Sequence, residues 1–266
     1  MDLGFYIFLF IAGALTGVFS GLLGIGGALI IIPVLLYVPA FLGLHVMSLH
    51  VITGIAAMQT TFGTLTSAIF HRQTGNVKDS IVFKVGFGVA AGAITGAILS
   101  KFLSALVLMW IYALFMAVAA SLILIRKEPG PSHDPPSEEY VPAYKGIIVG
   151  VIAGLPSGAL GFAGSVIIIP LLNTIFRVPM KICISTGTHI AFLAALMSLI
   201  GKMSTGQIEI ISAVIISVSA TLGAYGGTML NKKANPAFLR YLLLVLILLT
   251  LGKVLYDIAI MTVNPG

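Results

Sequence analysis

Charge is the scarcest thing in this sequence. Only 22 of 266 residues are Asp, Glu, Lys or Arg, 8% of the chain, against about 25% in an ordinary soluble domain. So few charges cannot cover a soluble fold of this size, and a mean hydropathy of +1.13 agrees. Cysteine is nearly absent too. The single Cys183 excludes an intramolecular disulfide and any multi-cysteine metal or iron–sulfur centre. Basic residues are missing at the start, where Met1-Asp2 leads straight into an apolar run. A secretory leader opens on a positive n-region, so Leu3 to Leu23 is read as a spanning helix. Nucleotide motifs are missing as well: there is neither G-x-x-x-x-G-K-[ST] nor G-x-G-x-x-G.

What the chain has instead is apolar length and glycine. Hydrophobic residues make up 59% and glycine accounts for 30 positions. Runs such as Ala28 to Val38 and Leu242 to Leu251 are continuously apolar. They do not alternate as the roughly 10-residue strands of a membrane barrel would. Glycine inside apolar runs suits closely packed transmembrane helices. The fold class is therefore an all-α polytopic membrane protein. The net charge of +6 is dispersed between apolar segments, so it sets membrane orientation and no nucleic-acid partner is expected.

The chain repeats itself. Gly13, Gly17, Gly21, Gly24 and Gly27 recur 137 residues later as Gly150, Gly154, Gly158, Gly161 and Gly164. Pro33 and Pro170 each follow three isoleucines. Gly75, Gly92 and Gly96 recur 131 residues on, as Gly206, Gly223 and Gly227. The chain thus divides into a first repeat, 1–126, a polar linker, 127–144, and a second repeat, 145–266. The linker holds five of the twelve prolines and four of the eight acids, the mark of a solvated loop.

Whether the repeats are parallel or inverted turns on the piece after each glycine cluster. If it crosses the membrane, each half has five segments, and eleven of the fourteen basic residues fall on the linker side. Lys101 and Lys202 alone face the other side, and Lys253 lies inside the last segment. If it is a hairpin, the split is seven against six. Only the first arrangement has a positive-inside bias. It places ten segments at 4–22, 27–43, 48–70, 81–100, 103–125, 145–160, 164–177, 182–201, 208–230 and 238–261. The linker is then cytoplasmic and both termini lie outside the cell membrane. The second and seventh segments are short for a span of about 20 residues.

Short, glycine-interrupted segments at matched positions of inverted repeats point to a transporter's midplane site. A helix beginning inside the membrane leaves its first N–H groups unpaired and its positive end exposed. Glycine lets an anion approach them without any basic side chain. The candidate site is therefore Gly24, Gly26 and Gly27 at one break and Gly161, Gly164 and Ser165 at the other. Ser20 and Ser157 lie just upstream as hydroxyl donors. The third and eighth segments add Gln59, Thr60, Thr186, Thr188 and His189, the last an intramembrane group able to take a proton. No residue group has metal-ligand spacing, and neither a metal nor a cofactor is expected. Gly13, Gly17 and Gly21, with their partners and Gly88, Gly92 and Gly96, read as helix-packing rows. Lys253 and Asp257, four apart, read as a neutralising pair near the outer interface.

The stretch Gly17-x-x-x-Gly21-Leu22-Leu23-Gly24-Ile25-Gly26-Gly27-Ala28-Leu29-Ile30-Ile31-Ile32-Pro33, with its mid-chain echo through Pro170, resembles the TauE/SafE sulfite exporter family. That family is also called the toluene-sulfonate uptake permease family. The resemblance covers nearly the whole chain, including the Gly75-Asn76-Val77-Lys78 and Gly206-Gln207-Ile208-Glu209 turns. It implies a secondary transporter, mostly exporting, of sulfite, sulfoacetate or another organosulfonate. The second motif, Gly161-Phe162-Ala163-Gly164-Ser165, has less glycine than the family tends to show, so the half-sites need not contribute equally. The expected partners are a small anionic substrate, the lipid bilayer and a coupling proton or ion, with a homo-oligomer open. The competing readings are a passive anion channel or assembly subunit, and a thiol relay on Cys183. Cys183 and His189 are six apart, about 240° around a helix beyond a full turn, which argues against a dyad.

Overall fold

The computed structural model describes residues 3–23, 27–72, 77–125, 141–162, 164–176, 178–231 and 236–263. Gly24, Gly26 and most of the linker lie outside the described residues. The described residues form ten helices: α1 Leu3–Leu23, α2 Ala28–Phe41, α3 Leu49–Arg72, α4 Asp79–Ser100, α5 Ala105–Ile125, α6 Ala143–Leu160, α7 Ser165–Phe176, α8 Met180–Ser204, α9 Ile210–Asn231 and α10 Pro236–Val263. Bounds read from apolar runs agree to within a few residues at each end. Where no water is available, backbone N–H and C=O groups must pair within the segment, so an apolar run becomes a helix. Prolines mark several starts. Pro142 and Pro179 hold extended backbone just before α6 and α8, and Pro236 takes the first position of α10.

Six helices, α1, α4, α6, α8, α9 and α10, are long and apolar enough to cross a membrane. Helix α3 has 24 residues but is less apolar, because it carries Gln59, Thr60, Thr61 and Thr64 buried. Helices α2 and α7 have 14 and 12 residues. At 1.5 Å per residue they reach only about 20 Å, short of the roughly 30 Å hydrocarbon core. The outward faces are studded with exposed Phe83, Phe87, Leu222 and Leu249, a surface suited to lipid.

The packing is paired across the repeats. Helix α4 lies along α6 and α1 along α9; α8 packs on α4 and α3 on α9; α2 meets α3 and α7 meets α8. Under exchange of the repeats these six relations form three matched pairs. The glycine rows make the closest contacts. A Cβ on Gly158 would stand 1.9 Å from the Ala93 carbonyl, and one on Gly17 would stand 2.1 Å from that of Ala220. The packing role read from their spacing is borne out for Gly13, Gly17, Gly88, Gly92, Gly96, Gly150, Gly154 and Gly158. The third and eighth helices run antiparallel. Lys202, in the last turn of α8, bonds Thr53 in the first turns of α3. At the opposite end, the Lys78 N–H just before α4 donates to Thr186 Oγ1, near the start of α8, at 3.1 Å.

Candidate functional site

The two helix starts after the breaks differ in backbone: Gly27 is right-handed with φ −68°, and Gly164 has φ +66°. Helix α6 ends on Gly161, whose φ of +75° lies in the left-handed region that favours glycine. Its N–H donates to Gly158 O at 3.3 Å, and the Phe162 N–H donates to Ser157 O at 2.9 Å. This double bond pattern closes the helix and turns the chain sharply. Gly164, with φ +66°, then begins the next helix. Its carbonyl accepts from the N–H groups of Ile167 and Ile168 at 3.0 and 2.8 Å. On the other side Gly27 does the same, accepting from Ile30 and Ile31 at 3.1 and 2.9 Å. Gly27 caps α2 without any side-chain hydrogen bond. The first N–H groups of a helix have no carbonyl four residues back, so both starts offer donors and a positive dipole end.

Helix α3 joins the two breaks through consecutive residues. A Cβ on Gly27 would meet Gln59 Nε2 at 2.3 Å, so the Gln59 amide lies directly against the start of α2. The neighbouring Thr60 donates its hydroxyl to Gly161 O at 2.9 Å. Gly161 also sits on the α3 backbone, where its Cβ would come within 2.1 Å of Thr53 O. One end of the Gln59 amide bonds Thr16 Oγ1 at 3.2 Å. Its other end, Oε1, is buried with no partner, on a residue only 4% exposed. Which end is nitrogen is an assignment. As assigned, the Nε2 end is the one nearest Gly27 and Oε1 stands farther off. A buried, half-paired amide beside an uncapped helix start is an arrangement that a ligand can complete.

Around this centre the remaining predicted residues fall at different depths. Ser157 is fully buried, and its Oγ would lie 2.5 Å from a Cβ on Gly164. Its hydroxyl donates to Ala153 O at 2.7 Å. Ser165 is the first residue of α7. Ser20 is half-buried in the last turn of α1. The α8 residues bond elsewhere. Thr186 accepts the bond from Lys78, Thr188 donates to Ile184 O at 2.7 Å, and His189 Nδ1 lies 2.8 Å from Ser185 O. Thr188 and His189 thus bond within their own helix. What meets the α6–α7 break from α8 is Ser198, which donates to Gly158 O at 2.9 Å.

Cys183 is fully buried, with Sγ donating to Val178 O at 3.1 Å. Lys253 and Asp257 form the ion pair expected of them, with Lys253 Nζ over the Tyr37 and Tyr256 rings at 5.1 and 5.3 Å. No group of three or more His, Cys, Asp or Glu able to hold a metal occurs among the described residues.

One residue escaped the sequence reading. Lys202, read there as a charge on the outer face, is completely buried and bonds Thr53, Ser100 and Gln207. The signal that can find it is an ionisable residue inside an apolar run, ahead of the Gly206 turn. Counting it as a surface charge hid it.

A family model described as sulfite exporter TauE/SafE matches residues 9–254. Three relatives are named as membrane transporters. "Probable membrane transporter protein YunE" of Bacillus subtilis is 21% identical, over 95% of this chain and 98% of its own length. "Probable membrane transporter protein YdhB" of the same organism is 28% identical over 80% and 85%. "Probable membrane transporter protein MJ0441" of Methanocaldococcus jannaschii is 22% identical over 88% and 90%. No solved structure matches.

Proposed function

From its membership of the TauE/SafE sulfite exporter family, to which this multi-pass membrane transporter belongs, we propose that the chain exports a small sulfur-containing anion. Sulfite, sulfoacetate or another organosulfonate is bound between the α2 and α7 starts and carried by alternating access. The observation that carries this reading is the pair of consecutive α3 residues, Gln59 and Thr60, set against the two breaks. Sulfite and the sulfonate group each present three oxygens, matched by several N–H donors at helix starts. A permanent cation touching the ligand is not required.

Two inverted repeats, 1–126 and 145–266, are the moving parts in this reading. Matched packing in the two halves and the antiparallel run of α3 and α8 support inversion. Repeated segments related by an in-plane twofold axis must point oppositely. The basic residues orient the linker to the cytoplasm. The thiol relay finds no support, since Cys183 is sealed in the core.

Purified protein reconstituted in vesicles should move labelled sulfoacetate or sulfite saturably, with other sulfur oxyanions competing. Absence of any saturable flux with every sulfur oxyanion tested would refute the substrate class. Reporter fusions in the linker and at the C-terminus should fall on opposite faces. The same face would refute inversion.

A further inference from the structure

Lys202 is wholly buried, yet neither ion pair among the described residues includes it. Its Nζ donates to Thr53 Oγ1 at 3.0 Å, Ser100 Oγ at 3.1 Å and Gln207 Oε1 at 3.3 Å. The protons of those partners have somewhere else to go. Thr53 donates to His50 O at 2.9 Å, and Ser100 can donate to Ala97 O at 2.7 Å or to Gln207 Oε1 at 3.0 Å. The Gln207 amide nitrogen donates to Ala97 O at 3.1 Å and Thr205 Oγ1 at 2.7 Å. That fixes Gln207 Oε1 toward the lysine. Three oxygens therefore face the three donors of the ammonium. The cluster is shaped for a cation with neutral partners only.

This cation adjoins the α6–α7 break. Thr53, whose hydroxyl accepts from Lys202, turns its carbonyl onto Gly161. Ser198, one turn before Lys202, holds Gly158 O. Nζ thus stands on the order of 10 Å from the break, the reach of two residues in contact. We propose that Lys202 is the counter-charge of the anion site: its ammonium balances the bound anion through space, so anion binding and protonation of Lys202 are linked. This rests on the sulfur-anion reading above. All three donors are occupied by protein, so Lys202 acts through its field and not by contact. It is a positioning charge for the ligand.

At about 10 Å and an effective dielectric of about 20, one unit charge changes affinity roughly ten- to twentyfold. By reciprocity, the anion favours the charged lysine by the same factor. The helices packed on α8 carry other titrating groups. These are His50, His71 and Arg72 on α3, Asp79 and Lys84 on α4 with Lys101 just beyond, and Tyr144 and Lys145 on α6. Helix α8 itself has Lys181, Cys183 and His189, and Glu209 lies just beyond Gln207. At the Lys202 end, His50 Nε2 is engaged by Leu103 O at 3.0 Å and Lys101 is exposed.

The test is sulfoacetate binding to the purified full chain between pH 7 and pH 10, where both acid groups of the probe stay ionised. Wild-type affinity should fall at least tenfold toward the alkaline end. Lys202→Met should bind at least tenfold more weakly at pH 7 and lose that slope, whereas Lys101→Gln should keep both. Equal affinity in Lys202→Met, or a slope that survives the substitution, overturns the proposal. If Lys202→Met does not fold, the wild-type profile decides, and a flat one overturns it. A wild type that binds neither sulfoacetate nor sulfite refutes the sulfur-anion reading. A wild type that binds while Lys202→Met binds equally well refutes only the role of Lys202.

Discussion

Replacing Gln59 by Leu separates binding from stability. Gln59 makes one hydrogen bond through its amide, to Thr16 at 3.2 Å, and buries an unpartnered oxygen beside Gly27. Losing a neutral hydrogen bond costs about 1 kcal/mol, whereas removing a buried orphan polar atom recovers about 1–3 kcal/mol. Leucine has similar volume and is at home in an apolar interior. The net effect on the empty protein is therefore between neutral and about 2 kcal/mol of stabilisation. For a chain of this size that raises Tm by a few degrees, at roughly 2–4 °C per kcal/mol. Ligand binding moves the other way. An amide bond to a charged ligand contributes about 1.5–3 kcal/mol, so sulfoacetate affinity should fall about 10- to 150-fold. Thermal unfolding in detergent and equilibrium binding on the same preparation measure both. A Gln59→Leu protein that is less stable by more than 1 kcal/mol yet binds normally would show that the amide is structural and the site lies elsewhere.

Two further perturbations probe the frame around the site. Gly158→Val should prevent folding or cut Tm severely, because its Cβ would stand 1.9 Å from the Ala93 backbone. Gly63→Ala, with open space at its Cβ, should stabilise α3 by about 0.5–1 kcal/mol; unfolding curves of both variants check the contrast. Asp257→Asn leaves Lys253 without its carboxylate partner, so it should be less stable than the double variant Lys253→Met with Asp257→Asn. The double variant should keep transport, and loss of flux in a folded double variant would instead make the pair a proton path.

Much of the architecture was legible because membrane helices obey simple bookkeeping. Apolar run length set the ten helices, and the 137- and 131-residue offsets foretold which packing contacts recur. Gly17 and Gly158 lie at helix contacts because only hydrogen lets two backbones approach so closely. The candidate site was legible in part. Gly27, Gly161, Gly164 and Ser157 could be named from the breaks, and Gln59 and Thr60 from polarity inside an apolar helix. Thr186, Thr188 and His189 have the same polarity, yet they meet other partners. Polarity along a helix does not say which neighbour a side chain faces.

The sequence by itself determined that this chain is helical and membrane-embedded, and where its helices break. Backbone groups in lipid have no partner but their own segment, so composition alone dictates the helix. The tertiary structure alone decided that one helix, α3, serves both breaks with adjacent residues. It alone moved Lys202 from a presumed outer face into a socket formed by α3, α4 and the turn after α8. A lysine near a helix end reads as an interfacial charge in any hydropathy profile. Only the packing of three chain segments, distant in sequence, supplies the oxygens that make burial of its ammonium possible.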